Sequence, residues 1–412
     1  MGFMSGIIRA LAHRNYRLYF GGQLLSLAGT AMQQIALSWL VYRLTGSTVM
    51  LGLVTFVGQI PLLLLSPLGG VLSDRFDRRQ LLVWTQALSA IHATILAVLT
   101  VTRHVDPNVL VLMALVLGLI NAVDQPVRQS FTRELVDKRE DIPNAVALTS
   151  FTIHTARFVG PSIGGLLVAS VGEAACFGIN ALSYLAVIAA LLAMRTLPVA
   201  SATHRVADAL KQGFAYVKAH REIRVLMGLV AVVSFFGSPY GTLLPYFAKE
   251  IYGGDARVYG FLATSSGVGA CLGTIFLASR KSSAAISRTI LWAMVVISAA
   301  LVVFATTKVF AVAVIALAVM GFASINTVAA SSAVIQQLVD DHMRGRVMAI
   351  YTMAFFGVSP VGSLVTGVAA RYLGPQRTLV VSATVILLVA LAAAWMRRSE
   401  ASSATPIPAA NA

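Results

Sequence analysis

One arginine, Arg157, lies well inside an apolar stretch that begins near Asn144. A guanidinium in such surroundings is costly and by default marks a functional site. Its planar fork of donors suits an anionic group such as a carboxylate, a catecholate or a phosphate. His154 precedes Arg157 by three residues and shares its face if the stretch is helical. We expect both residues to line a substrate cavity. The alternative is that Arg157 is a structural partner of Asn121 or Gln59.

Other polar side chains also lie near the middle of apolar stretches, where buried amides and hydroxyls need partners. Each could face the same cavity or make a contact between helices. The further cavity candidates are Gln33, Gln59, Asn121, Asn326 and Tyr240.

Enzyme chemistry finds no support in the residue pattern. Gly160-Pro161-Ser162-Ile163-Gly164 matches the letters of the hydrolase nucleophile elbow, but that elbow needs a strand, a turn and a helix. The two cysteines, Cys176 and Cys271, can form neither a disulfide framework nor a tetrahedral zinc site. No Gly-Lys pair is present, so there is no phosphate-binding loop. We expect no enzyme, no metal and no cofactor.

The composition predicts an integral membrane protein. Of the 412 residues, 58% are hydrophobic and only 11% are charged, whereas soluble domains carry roughly 25% charged residues. The formal net charge of +15 could suggest a nucleic-acid partner. The basic residues lie in short gaps between apolar stretches instead of on one face of a soluble domain, so we expect no nucleic-acid partner. We expect the lipid bilayer to be the solvent around the apolar stretches.

The apolar stretches are long enough to cross a bilayer as helices, which takes about 20 residues each. They are apolar all round, which excludes the alternating pattern of a membrane barrel. We predict an all-α protein with twelve transmembrane helices in two pseudo-symmetric six-helix bundles. The predicted spans begin near Tyr16, Val49, Leu81, Val109, Asn144, Ala174, Ile223, Val258, Thr289, Val309, Val347 and Gln376.

The connecting segments define the predicted organisation. Residues 1–15 form an N-terminal segment, 16–195 and 223–397 the two bundles, and 398–412 a disordered tail rich in Ala, Ser and Pro. Between the bundles, residues 196–222 are polar and basic. There Val206, Leu210, Phe214 and Val217 recur at helical spacing, which predicts an amphipathic helix on the membrane surface. A plain linker is the alternative.

The loop charges predict the orientation. If the N-terminus is cytoplasmic, the loops on that side hold most of the 31 Lys and Arg residues. The opposite loops hold Arg43, Arg103, Lys249, Arg257, Lys308, Arg371 and Arg377. We therefore expect both termini in the cytoplasm. A short repeat, VGPSIGG around Pro161 and VSPVGS around Pro360, falls in the fifth and eleventh spans and supports two related halves.

The loop between spans two and three carries a dense charge motif, Gly70-Val71-Leu72-Ser73-Asp74-Arg75-Phe76-Asp77-Arg78-Arg79. It resembles the signature loop of the major facilitator superfamily, with Asp77 in place of the usual second glycine. The resemblance implies a latch that closes the cytoplasmic side, formed by Gly70, Asp74, Arg75, Arg78, Arg79 and an acidic residue on span four, which Asp124 matches. We expect a network of Asp74, Arg78 and Asp124. The alternative is an anchored loop without a switching role.

Span five carries a second motif, Gly160, Pro161, Gly164 and Gly165, which resembles the glycine motif of exporters in this superfamily, with Ala156 in place of an upstream glycine. These motifs, with LAHRNYRLYFGGQLLS, NAVDQPVRQSF and RGRVMAIY, resemble the transmembrane secretion effector branch, which includes enterobactin exporters and macrolide efflux proteins. The resemblance runs from about Leu11 to Trp395.

The resemblance implies secondary export of a small molecule across the inner membrane by a monomer, coupled to protons by antiport. Asp124, His92 and His154 are the titratable candidates for the coupling. A siderophore-like metabolite and a drug or macrolide remain alternative substrates. A lipid-moving or importing relative, and a receptor without transport activity, remain as other classes.

Overall fold

The described part of this computed structural model is helical throughout and comprises residues 9–136, 138–194, 206–278 and 283–403. We number the principal helices α1 to α13. They are α1 Arg14–Thr45, α2 Thr48–Arg75, α3 Arg78–Val101, α4 Pro107–Phe131, α5 Ile142–Val171, α6 Glu173–Leu192, α7 Val206–Ala219, α8 Arg221–Ile251, α9 Ala256–Ala278, α10 Ser283–Thr306, α11 Phe310–Leu338, α12 Arg344–Leu373 and α13 Pro375–Ser403. Short 3₁₀ turns at Arg9–Ala12, Thr132–Glu134 and Arg139–Asp141 flank α1 and join α4 to α5.

Within the described residues, eleven helices are long and apolar enough to cross a membrane. The remaining long helix, α5, has 30 residues, occupies the position of the predicted fifth span and packs between α1 and α9. Each of the twelve predicted spans thus coincides with a helix of the bundle. The predicted tail begins inside α13, which continues to Ser403, and the rest of the tail lies outside the described residues.

Helix ends follow local chemistry. Ser47, Asp77 and Asp106 accept hydrogen bonds from the backbone N–H three residues on, and so cap α2, α3 and α4. Gly46, at φ 58°, ends α1 in the left-handed region that glycine tolerates. Asp77 has φ −59°. Its position therefore needs no glycine, and the departure from the superfamily loop supplies a helix cap instead.

Two of the long helices are interrupted at prolines. In α8, wide π-helical turns at Val233–Gly237 and Phe247–Ile251 flank a short α-helical segment, close to Pro239 and Pro245. In α12 the chain bends at Gly357, three residues before Pro360. Proline has no backbone N–H to donate one turn back, so the helix widens or bends where that bond is missing.

The buried core is shared between the halves at one end of the bundle and divided at the other. At the end where α1 finishes and α2 begins, one apolar cluster includes residues of both halves, from Ile35 to Ala383. At the opposite end, one cluster belongs to the first half, from Ala10 to Met194, and another to the second half, from Val217 to Ala393. We call these the closed end and the open end.

Helix α7 connects the halves at the open end and packs on the start of α12. A Cβ added at Gly213 would contact the side chain of Ile350 and the backbone of Arg346. Val217 is buried in the second-half cluster, whereas Phe214 is 51% exposed. The predicted helix is present, but Phe214 does not share the buried face. The side chains of Val206 and Leu210 lie outside the described residues.

Candidate functional site

At the closed end the halves meet along two helix pairs, α2 with α12 and α5 with α9. Thr48 Oγ1 donates to the backbone oxygen of Gly367 at 3.0 Å, and the hydroxyls of Ser162 and Thr264 lie 2.6 Å apart. Trp39 of α1 stacks on Tyr259 of α9. These contacts leave little space at this end, and they place α1 and α9 side by side.

Tyr42 adds a polar contact to the same closed end. Its hydroxyl donates to Glu250 Oε1 at 3.2 Å, and the Lys249 ammonium lies 5.7 Å from the centre of its ring. Arg43 pairs with Glu173 within the first half at 2.8 Å. Glu250 and Glu173 therefore each have a polar partner at this end, the first across the contact between halves and the second within the first half.

The contacts of α5 place Arg157 on the side of this helix that lies between α1 and α9. On α5, Gly160 packs against Ala31 of α1, and the backbone of Pro161 packs against Gly260 of α9. At about 100° per residue, Arg157 lies about 60° from Gly160 and about 40° from Pro161, between those two contacts. Because α1 and α9 touch each other, this sector of α5 faces the interior.

Arg157 lies deep in the molecule, yet its side chain is exposed, and no described residue pairs with its guanidinium. Toward the open end, Ile153, Ser150 and Val146 continue its face at intervals of three and four residues, and all three are exposed. These exposed side chains form a stripe on the same face of α5 as Arg157, on the part of the helix toward the divided end. The side chain of His154, the predicted neighbour of Arg157, lies outside the described residues.

The other cavity candidates fall into two groups. Gln59 is exposed and Asn121 is half-buried, so both can face open space. Gln33 is buried and accepts a hydrogen bond from Asn180 Nδ2 at 2.7 Å. Asn326 is buried and donates to the backbone oxygens of Phe322 and Gly273, and the Tyr240 hydroxyl lies 2.6 Å from that of Ser266. For these three residues the structure places the helix-contact alternative ahead of the cavity.

The glycine motif of α5 forms close helix contacts on two sides. Cβ atoms added at Gly160 and Gly164 would meet Ala31 and Met32 of α1. A Cβ added at Gly165 would lie 2.6 Å from the Ala256 oxygen and 2.8 Å from the Gly260 Cα atom of α9. The motif therefore brings α5 against one helix of each half, which small residues alone permit.

Several of the predicted latch residues have described partners outside the expected network. Arg78 pairs with Glu134 and also donates to Ser73, whereas Asp124 pairs with Arg128 on its own helix. Arg75 is exposed, a Cβ at Gly70 would meet nothing within 4 Å, and Arg79 donates to the Leu192 oxygen at 2.9 Å. The side chain of Asp74 lies outside the described residues.

These pairs add partners to those expected for Arg78 and Asp124, and the expected pair of Arg78 with Asp74 stays a prediction. One acid beside Arg78 is Glu134, beyond the end of α4, and the base that pairs with Asp124 is Arg128, one turn along the helix. Burial raises the pKa of Glu134, while Arg78 opposes that rise. The sequence reasoning missed both partners. The spacing of four between Asp124 and Arg128 was the available signal.

No cluster of three or more His, Cys, Asp or Glu side chains suited to a metal occurs in the part of the chain that the structure describes.

A family profile described as "Transmembrane secretion effector" matches residues 6–411. The chain belongs to this family. It is 29% identical over 371 residues to the staphyloferrin A transporter of Staphylococcus aureus (strain NCTC 8325 / PS 47), covering 88% of this chain and 91% of the relative. It is 23% identical over 383 residues to the multidrug efflux pump Tap of Mycolicibacterium fortuitum, covering 90% and 93%.

The fold is that of the major facilitator superfamily. The chain resembles the structure of a bacterial homologue of the human lysosomal transporter Spinster, in an inward-facing and unoccupied conformation, with a TM-score of 0.74. The match covers 92% of this chain and 96% of that chain at 14% identity. This secretion effector is therefore a multi-pass membrane transporter, as its motifs predicted.

Proposed function

We propose that this protein exports a small organic anion from the cytoplasm by alternating access. The observation that carries the proposal is Arg157, an exposed arginine that pairs with none of the described residues and lies where the two halves part. An isolated guanidinium deep in a bilayer protein is costly, so we expect its charge to bind an anion reversibly. A transported anion meets that condition.

The proposed substrate is a siderophore-like secreted metabolite. A guanidinium fork binds carboxylates and related oxyanions through two parallel hydrogen bonds. The similarity to the staphyloferrin A transporter supports this class. The half-buried Asn121 and the exposed Gln59 would supply neutral hydrogen bonds to the same ligand, with His154 as a further neighbour of Arg157.

In this proposal the closed end faces outward and the open end faces the cytoplasm. The distribution of Lys and Arg between the loops supports this orientation, with both termini in the cytoplasm of a cell with this protein in its inner membrane. The protein works as a monomer and exchanges substrate for protons. The loop from Gly70 to Arg79 closes the cytoplasmic side during the cycle, with Asp124 as its partner on α4.

Untargeted mass spectrometry of spent medium tests the function. Strains carrying the wild-type protein, no protein, Arg157→Ala or Arg371→Ala are grown with and without iron limitation. Arg371 is an exposed arginine at the closed end and serves as the matched control. In the null and Arg157→Ala strains, we expect one anionic compound to be missing from the medium and to accumulate in the cells. The Arg371→Ala strain should behave as wild type. Unchanged export by Arg157→Ala contradicts the role of this residue.

A second candidate is efflux of drugs or macrolides. Phe151, 61% exposed, and Phe158 lie beside the Arg157 stripe and could bind apolar compounds. The relative Tap, a multidrug efflux pump, supports this candidate. An unchanged medium in the null strain, together with greater susceptibility to a drug panel, would favour it over the metabolite exporter.

A further inference from the structure

Helix α12 has one side that faces out of the bundle. Toward the closed end this side carries Val361, Val365, Val368 and Tyr372, which are spaced by three and four residues and are between 37% and 78% exposed. The halves are in contact at this end, so these side chains are exposed to the surroundings of the bundle, which in a membrane protein are lipid. These four residues therefore mark the lipid-facing side of α12.

The opposite side of α12 is buried at the closed end. Ser363 is 2% exposed, and it lies about 160° around the helix from Val365. Its direction falls between two packing contacts, because Gly367 packs against α2 and Gly362 packs against Phe235 of α8. Since α2 and α8 also contact each other, the Ser363 side of α12 faces the interior.

Toward the open end, this interior side of α12 becomes exposed. Thr352 and Phe356 lie eleven and seven residues before Ser363, so both point within about 20° of its direction. Gly357, where α12 bends, keeps helical angles of φ −83° and ψ −28°, so the direction continues through the bend. Thr352 is exposed, and Phe356 is 47% exposed. One interior side of this helix is thus covered at the closed end and uncovered at the open end.

Helix α5 shows the same change along the side that carries Arg157. Val168 lies eleven residues after Arg157 and therefore points in nearly the same direction. It is 7% exposed and belongs to the cluster at the closed end, whereas Arg157 and the residues before it on this side are exposed. Arg157 of the first half and Phe356 of the second half therefore both lie on interior sides, at the end where the halves part.

The Phe356 ring is held beside the bend in α12. Pro360 has no backbone N–H to donate to the Phe356 oxygen, and the neighbouring Phe355 oxygen accepts a hydrogen bond from Ser234 Oγ of α8. The rings of Phe355 and Phe356 pack edge to face with their centroids 4.8 Å apart. Because Phe355 packs against the second-half cluster, it supports the Phe356 ring, which stays half exposed.

We propose that Phe356 and Thr352 form the second-half part of the substrate site, and that the exported compound is an anion with an aromatic portion. This inference deepens the proposed function and rests on it. Arg157 binds the anionic group, and the Phe356 ring packs against the aromatic portion. The Thr352 hydroxyl donates to the Met348 oxygen at 2.9 Å and keeps acceptor capacity for a donor on the substrate.

A substrate held in this way contacts both halves at once. Its free energy of binding is greatest when Arg157 on α5 and Phe356 on α12 both reach it, so binding favours the conformation in which the open end is narrower. A small anion without an aromatic portion contacts Arg157 alone and lacks this effect. The two residues therefore select for substrates that carry both groups.

Thiol labelling tests whether the interior side of α12 is reached by water. Cys176 and Cys271 are first replaced by Ala, and single cysteines are then introduced as Phe356→Cys and, on the lipid-facing side at a similar depth, Val361→Cys. The purified full chain in detergent is treated with an anionic and a cationic methanethiosulfonate reagent. We expect Phe356→Cys to react with both reagents and Val361→Cys to react with neither. A folded Phe356→Cys protein that does not react overturns the proposal.

The ratio of the two labelling rates tests whether Arg157 faces the same space. A positive charge in an enclosed site attracts the anionic reagent and repels the cationic one. We expect the ratio of the anionic to the cationic rate at Phe356→Cys to fall about tenfold when Arg157→Gln is added. Arg371→Gln, which removes an exposed arginine at the closed end, should leave the ratio unchanged. An equal ratio with and without Arg157 contradicts a shared site.

Protection by two probe anions tests the aromatic portion. In the same background, 2-naphthoate should slow the labelling of Thr352→Cys, whereas acetate at the same concentration should not. Adding Phe356→Ala should abolish the protection, and adding Val361→Ala should retain it. Equal protection by the two anions, or protection that survives Phe356→Ala, refutes the role of the ring.

These measurements need no transport, so their failure differs from a failure of the proposed function. If the labelling results are as expected but no compound disappears from the spent medium of the null strain, the site stands and the export function is wrong. If an anion requires Arg157 for its export but 2-naphthoate gives no protection, the export function stands and the role of Phe356 is wrong.

Discussion

Two adjacent glutamines on α1 show how strongly a side chain's role depends on the direction it faces. Gln33 is 1% exposed and bonds to Asn180 of α6, whereas Gln34 is exposed. The sequence gives no means of distinguishing them, because both have the same type and the same apolar neighbours. In the structure only Gln33 ties two helices of the first half together.

Gln33→Leu is therefore expected to lower stability. The change leaves the buried Asn180 amide without its acceptor, which costs about 1–3 kcal/mol. Gln34→Leu is the matched control and should stay within about 0.5 kcal/mol of wild type. Thermal unfolding of the purified proteins in detergent measures both. Equal melting temperatures for the two variants would show that the Asn180 bond contributes nothing.

At the residue scale, the sequence located the costly charge but not the partners of the other polar groups. Arg157 could be picked out because any arginine in an apolar stretch is conspicuous. The pairing of Arg78 with Glu134 and of Asp124 with Arg128 could not be predicted, because it depends on how each helix is rotated and where it ends. Glu134, for example, reaches Arg78 from a 3₁₀ turn whose position follows from the end of α4.

At the element scale, α5 is the helix on which both packing and function depend. It contacts α1 through Gly160 and Gly164 and α9 through Gly165, and it carries Arg157 between those contacts. A change in the α5–α9 distance would therefore alter both the closed end and the setting of the proposed anion site.

Gly165→Ala should weaken the closed end. The new Cβ would meet the backbone of Ala256 and Gly260, which cannot yield as a flexible side chain could. Overpacking of this kind costs about 1–3 kcal/mol. Because the contact exists only while the closed end is shut, this cost should favour conformations in which that end opens.

Spin labels at His104→Cys and Lys308→Cys, exposed at the closed end in the two halves, measure the effect. Gly165→Ala should increase the population at long distance. The matched control, Gly178→Ala, changes a helical glycine whose Cβ would meet nothing within 4 Å, and it should leave the distribution unchanged. If both variants resemble wild type, the close approach of α5 and α9 does not limit opening.

The element boundaries were largely predictable, since hydropathy over about 20 residues reports directly on the bilayer. All twelve predicted starts lie close to helix starts in the structure. The interruptions of α8 and α12 were less accessible. Proline indicates where a helix can bend, but whether it widens into a π turn or breaks depends on neighbouring helices that satisfy the freed carbonyls.

At the scale of the whole molecule, the division of the core suits the proposed alternating access. The shared cluster at the closed end and the separate clusters at the open end mean that each half keeps its own interior wherever the halves part. The halves can then rock as rigid bodies, and the contact between them changes while the helix packing within each half persists.

The side-chain bonds that cross the closed end are few and individually modest. They include Thr48 to Gly367, Tyr42 to Glu250 and the Ser162–Thr264 pair. A neutral hydrogen bond contributes about 0.5–1.5 kcal/mol, so a handful can hold one conformation without trapping it. The proposed alternating access requires that these bonds break in every cycle.

A reversible covalent bond at the Ser162–Thr264 contact should therefore stop transport. The two hydroxyl oxygens are 2.6 Å apart, so cysteines at both positions need little backbone movement to form a disulfide. Cys176 and Cys271 are first replaced by Ala. In this background, the double variant Ser162→Cys/Thr264→Cys should export substrate only under reducing conditions. The substrate measured is the compound that the Arg157→Ala strain fails to release. Each single variant should be insensitive to oxidant.

If the oxidised double variant, with its disulfide confirmed by mass spectrometry, still exports at the wild-type rate, then α5 and α9 do not separate during the cycle. The closed end would then have to open along α2 and α12 alone.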